Sequence, residues 1–227
     1  MFAVDFKDEE QVKEYLENLH IEYMYACHQE KSPEGCVRLG DYYSGIKKNF
    51  KDAADAYKSA CEELDSPDGC FKLGTCYMVG RGVEESKEEC YKYFTKACDL
   101  NNLGACHNLG MIHGTGLANI KKKREVEKAT EFFKKACDQN YPQSCFMLSA
   151  VFLQGLGTVK KDMEQARIYS EKACNLDHMY ACANVSRIYH LGDGVPKNQS
   201  LAEKYMAKAK QLHKDLSEER KQLKFGE

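Results

Sequence analysis

Lys96-Ala97-Cys98-Asp99-Leu100-Asn101-Asn102-Leu103-Gly104-Ala105-Cys106-His107-Asn108-Leu109-Gly110 reads as the end of one helix, a tight turn and the start of another, with a cysteine on each side. The same figure returns as Ala26-Cys27 to Cys36, Ala60-Cys61 to Cys70, Ala136-Cys137 to Cys145 and Ala173-Cys174 to Cys182. Along one continuous helix, residues eight or nine apart are separated by roughly 12–13 Å of rise, whereas disulfide-bonded Cα atoms lie about 4.4–6.8 Å apart. If these cysteines pair, the chain must double back between them.

Working outward, the intervals between Cys36, Cys70, Cys106, Cys145 and Cys182 are 34, 36, 39 and 37 residues, a period that belongs to stacked helix pairs. The same residue types recur inside each unit. Three positions after the leading cysteine stand Leu39, Leu73, Leu109, Leu148 and Val185; four after it, Gly40, Gly74, Gly110, Ser149 and Ser186; seven after it, Tyr43, Tyr77, His113, Phe152 and Tyr189. At helical spacing the Leu and the aromatic point inward together, and the small residue lets a second helix approach closely.

Gly80-Arg81-Gly82-Val83, Gly155-Leu156-Gly157 and Gly192-Asp193-Gly194-Val195 then end the first helix, since glycine takes positive φ without strain. The second helix carries a small residue (Ala53, Cys90, Ala129, Ala166, Ala202) and an aromatic four positions before the closing cysteine (Tyr57, Phe94, Phe133). The fourth unit has Ser170 there with Tyr169 beside it, and the fifth has Tyr205 by a looser alignment. Ahead of the first full unit, Glu9 to Glu30 reads as one helix with Val12, Tyr15, Leu16, Leu19, Tyr23 and Cys27 on one face, a half repeat without its first helix.

Composition excludes several classes. The 227 residues carry a formal net charge of −2, with Lys and Arg interspersed among Asp and Glu. The longest basic cluster, Lys121-Lys122-Lys123-Arg124, falls in an inter-helix insertion and reads as a solvated loop, so no nucleic-acid surface is indicated. The most apolar window, Cys145 to Leu156, is too short to span a membrane and is interrupted by Ser149 and Gln154. The opening Met1-Phe2-Ala3-Val4-Asp5-Phe6-Lys7-Asp8-Glu9-Glu10 has neither the basic, apolar layout of a secretory signal nor the Arg-rich amphipathic layout of a matrix-targeting segment. Twelve cysteines, ten of them in regularly spaced pairs, nevertheless call for an oxidising compartment. The mitochondrial intermembrane space, where small cysteine-rich proteins are trapped by oxidation, reconciles the two.

The pattern Cys-x-x-Leu-Gly-x-x-Tyr, Gly-x-Gly-Val, small residue, Tyr-x-Lys-Ala-Cys resembles the Sel1-like repeat, a relative of the tetratricopeptide repeat. With the periods above, the resemblance implies an all-α, right-handed superhelical solenoid of helix pairs, about eleven helices in all. It would occupy residues 1–221, with a half repeat at 9–33 and repeats at about 34–67, 68–103, 104–142, 143–179 and 180–215. A charged last helix runs from about Gln199 to Lys221, ahead of a flexible tail at 222–227.

The cysteine placement is similar to a cysteine-rich subset of that family, in which a disulfide ties the second helix of one repeat to the first helix of the next. On that pattern Cys27 pairs with Cys36, Cys61 with Cys70, Cys98 with Cys106, Cys137 with Cys145 and Cys174 with Cys182, as structural staples. Cys76 and Cys90 are left as buried free thiols; the equivalents of Cys76 elsewhere are Tyr42, Ile112, Val151 and Ile188. A sixth disulfide between the two, or a reactive thiol, is the competing reading. No Cys-x-x-Cys is present to favour redox exchange or zinc.

A mitochondrial branch of the family gives a nearer likeness. It is carried by Val4-Asp5-Phe6, Asp8-Glu9-Glu10-Gln11-Val12-Lys13, Ala105-Cys106-His107-Asn108, Ser144-Cys145-Phe146, Phe152-Leu153-Gln154-Gly155, Gln211-Leu212-His213-Lys214 and the terminal Phe225-Gly226. It implies a monomeric, non-enzymatic assembly factor or binding scaffold for cytochrome c oxidase (complex IV) biogenesis, located in the intermembrane space. Its partners would be oxidase assembly proteins or subunits and the compartment's oxidative import machinery.

The family also raises haem binding through two histidines of the third repeat. His107 fits that motif, while His113 falls seven residues after Cys106 where the pattern places it eight. Six residues apart on a helix, the two side chains diverge by about 120° with about 9 Å of rise, so they share a ligand only if the helix breaks at Gly110. His113 also occupies the repeats' aromatic position, which favours a packed core histidine. A haem-binding or thiol–disulfide redox protein is therefore the alternative function. β-Lactam binding, raised by the secreted bacterial relatives, finds no motif, nor do hydrolase or nucleotide chemistry.

Overall fold

A computed structural model of the chain describes residues 4–115 and 125–224. The described residues form eleven α-helices and one π-helical turn, without a strand: α1 Glu9–His28, α2 Pro33–Tyr42, the π-helical turn Tyr43–Lys47, α3 Phe50–Glu62, α4 Pro67–Val79, α5 Lys87–Asp99, α6 Leu103–Thr115, α7 Val126–Asp138, α8 Pro142–Gln154, α9 Met163–Asn175, α10 Met179–Leu191 and α11 Gln199–Lys224. The chain divides into two compact units, Met1–Ala105 and Cys106–Glu227. The basic run 121–124 lies outside the described residues. So does the end of the expected flexible tail, although α11 continues through 222–224, because no Gly or Pro interrupts it before Gly226.

Local chemistry sets the helix starts. Ser32 and Ser66 accept from the backbone N–H of Gly35 and Gly69, each followed by a proline at the first helical position, where its missing N–H costs nothing. Asn49, Ser86, Asp162 and His178 cap α3, α5, α9 and α10 in the same way. Gly80, Gly155 and Gly192 close α4, α8 and α10 in the left-handed conformation.

Two contacts recur between the first and second helix of a repeat. The glycine four residues after the leading cysteine lies under the ring of its own second helix. A Cβ on Gly74 would meet Phe94 at 2.7 Å and one on Gly110 would meet Phe133 at 2.5 Å, and Gly40 sits as tightly against Tyr57. The aromatic seven residues after the cysteine stacks on a ring five residues before the closing cysteine. These stacks are Tyr77 on Tyr93 (5.5 Å, 9°), His113 on Phe132 (5.5 Å, 13°) and Phe152 on Tyr169 (5.7 Å, 6°), and Tyr189 stacks on Tyr205 (6.0 Å, 1°) in the last repeat. Tyr169 is thus no displaced version of the ring four before the cysteine: it fills this second aromatic position, and buried Ser170 fills the first.

Candidate functional site: the stapled repeat junctions

At each junction the chain reverses between a second helix and the next first helix. The reversal passes through a residue of positive φ three or four after the closing cysteine: Lys31, Asp65, Asn101, Asn140 and Asp177. Four of the five are Asn or Asp, whose short polar side chains tolerate that conformation best after glycine. The reversal brings Cα atoms to 4.4 Å for Cys27–Cys36, 4.5 Å for Cys61–Cys70, 4.7 Å for Cys137–Cys145 and 4.6 Å for Cys174–Cys182, each pair joined through its sulfurs. Cys98 and Cys106 are each in a disulfide as well. All ten are 2% exposed or less, so a reductant or acceptor thiol has no open approach to them.

The lysine of the Lys-Ala-Cys signature has its own role here. Lys96 donates to the carbonyl of Cys61 at 2.8 Å and pairs with Asp65 at 2.7 Å; Lys208 does the same with Cys174 (2.8 Å) and Asp177 (2.8 Å). In each case a cation from the following second helix meets the carbonyl end of the preceding one, where the helix dipole is negative. The role is not legible in the signature itself, because the lysine's partner lies about one whole repeat upstream.

Cys76 and Cys90 are free and buried. Burial pushes both thiols above their usual range, Cys90 to about 11, so neither is a ready nucleophile at neutral pH.

His107 and His113 lie on α6, in separate slots. His107 stands at the position filled by Phe71 and Phe146 in neighbouring repeats. Its ring lies 5.6 Å from Phe133 and 5.5 Å from Tyr141, and its Nδ1 is 3.0 Å from the Oγ of buried Ser144. Burial holds its imidazole below the usual histidine pKa. His113 is 3% exposed, stacked on Phe132, with Nδ1 2.7 Å from Glu125 Oε2; the hydrogen bond from His113 is the main reason the Glu125 carboxyl sits below its usual range. The pair does not fit a haem iron held between them: each ring fills an aromatic slot of the repeat, and His113 keeps almost no free surface. Among the described residues no group of three or more His, Cys, Asp or Glu side chains could hold a metal ion. None of their helices is long and apolar enough to cross a membrane.

These features define a helical repeat scaffold stapled at its junctions. The Sel1 repeat model matches residues 33–63, 67–102, 104–141, 142–178 and 180–213, and the chain belongs to the Sel1 repeat family. Relatives similar along their whole length are called cytochrome c oxidase assembly factor 7. The Xenopus tropicalis protein is 45% identical over 228 residues, covering 99% of this chain and 98% of its own. The Homo sapiens protein is 45% identical over 227 residues, 98% of each. The Sel1 repeat protein from Oxalobacter formigenes superposes with a TM-score of 0.73 at 24% identity, over 88% of this chain and 83% of its own, and shares the fold.

Proposed function

We propose that the chain is a binding scaffold in the biogenesis of cytochrome c oxidase and works in the mitochondrial intermembrane space. The observation that carries this reading is the end-to-end similarity to proteins named for oxidase assembly, which takes in the segments before and after the generic repeats. The chemistry is consistent with it. The disulfides are buried, the free thiols are held protonated, and both candidate haem ligands are occupied in aromatic packing, so what remains for function is surface. The partners are oxidase assembly proteins or subunits, and oxidation of the staples retains the chain in the compartment.

Removing the chain from its own cells should lower assembled oxidase and its activity more than the other respiratory complexes; undiminished oxidase contradicts the reading. Added protease should degrade the chain in isolated mitochondria only after the outer membrane is ruptured. Protection that survives rupture would place it in the matrix and overturn the compartment.

A further inference from the structure

Between α10 and the first half of α11 lies an open groove of about 520 Å³, lined by Ala183, Asn184, Ser186, Arg187, His190 and Met206. The repeat register explains it. Met206 stands two residues before Lys208, as Phe94 and Phe133 stand two before the lysines of Lys96-Ala97-Cys98 and Lys135-Ala136-Cys137. In the four preceding repeats the residue at that position, Tyr57, Phe94, Phe133 or Ser170, is 5% exposed or less, whereas Met206 is 38% exposed.

The difference is the helix that comes next. α4, α8 and α10 pack against α3, α7 and α9, the second helices of the repeats before them. The incoming chain also covers the residue just after the leading cysteine: Tyr141 and Ser144 lie against His107, and His178 and Tyr180 lie against Phe146. After α10 and α11 no helix comes back. α11 runs for 26 residues, against 13 for α3, α5, α7 and α9, and none of its residues takes the positive φ that reverses the chain at the other junctions. Ala183 also takes the place of Phe71, His107 and Phe146, so a ring that lines earlier grooves is missing from this one.

Charge specifies the occupant further. Five residues after its leading cysteine the first repeat has Asp41, and incoming α4 meets it with Lys72 Nζ at 2.6 Å, two residues after Cys70. The fifth repeat has Arg187 at that position, exposed and without a carboxylate partner among the described residues. No lining residue is acidic. Ser186 donates to the Ala202 carbonyl and His190 Nδ1 is engaged by Gln199, which leaves Arg187 as the one permanently charged group of the lining.

We propose that this groove binds an amphipathic helix of a partner protein, seated as the first helix of a further repeat would be, with apolar residues on Ala183 and Met206 and an Asp or Glu beside Arg187. A helix is what fills the equivalent groove at the earlier junctions. An amphipathic helix laid by its apolar face into such a groove is a recurrent mode of recognition, and a charge at the edge fixes its register. The inference goes beyond the oxidase reading and does not rest on it.

The test uses the full chain with labelled Ala and Met methyl groups, titrated with a blocked synthetic peptide. The peptide copies residues 66–79, the helix that enters the first repeat's groove, and carries Cys70→Ala, Cys76→Ala and Lys72→Glu. The signals of Ala183 and Met206 should shift saturably, and a peptide that keeps Lys72 should bind about five-fold more weakly. Arg187→Glu should reverse the preference between the two peptides while melting no lower than wild type, since Arg187 is exposed and unpaired. Met206→Lys, at a site already 38% exposed, should abolish the shifts in a folded protein. Methyl signals that stay still, an unchanged preference in Arg187→Glu, or undiminished shifts in Met206→Lys would each overturn the proposal. Shifts that follow protein concentration without peptide would assign the groove to a second copy and overturn it too.

Discussion

The ring of Phe133 occupies the space where a Cβ on Gly110 would stand, and Phe94 does the same over Gly74. Gly74→Ala should therefore force the Phe94 ring or helix α4 outward, at a cost of about 1–3 kcal/mol typical of overpacking. Thermal melting reads it, and an unchanged midpoint would show that the close approach is not required. His107 makes a pH-dependent contribution. Burial lowers its pKa in the folded chain, so as pH falls through the unfolded value near 6.5 the unfolded chain takes up the proton first. Stability is then full above that pH and declines below it. His107→Phe, which restores the residue type of Phe71 and Phe146, should reduce the loss measured by urea unfolding between about pH 7.5 and 5.5; equal losses in the two proteins would contradict the assignment. Cys76 and Cys90 should resist alkylation at pH 8 in the native protein and both react in denaturant.

For the helices and their junctions, much was legible because the repeat writes each message several times. The doubling back between cysteines, the Gly-x-Gly helix ends and the inward Leu and Gly positions all follow from spacing. Less legible was what pairs across helices. The ring five before the closing cysteine, Tyr93, Phe132 or Tyr169, went unread because the first repeat has Ala56 there. With that ring identified, His113 becomes one member of a regular stack. Helix ends also moved slightly: α1 stops at His28 where Glu30 was expected, and α11 passes Lys221. The π-helical turn was not foreseen, though the shortened first connection and its missing Gly-x-Gly were its trace. A staple closing a nine-residue loop contributes about 2–3 kcal/mol in the chain-entropy model. Replacing Cys61 and Cys70 with alanine should therefore lower the melting temperature and open the turn from Glu62 to Gly69 to protease. A variant as resistant as wild type would mean that helix packing alone holds the reversal.

Across the whole molecule, the family and the all-helical repeat architecture could be read from sequence, whereas the identity of a partner could not, because a scaffold's specificity is spread over surface residues that obey no repeat rule. What the repeats share maintains the fold, and what differs between them is available for recognition. The central claim, that this scaffold serves oxidase biogenesis, is tested most directly by complementation. Expressed in human cells lacking cytochrome c oxidase assembly factor 7, the chain should restore assembled oxidase on native gels toward the level of unmodified cells. Oxidase that stays low while the chain accumulates with its staples formed would contradict it.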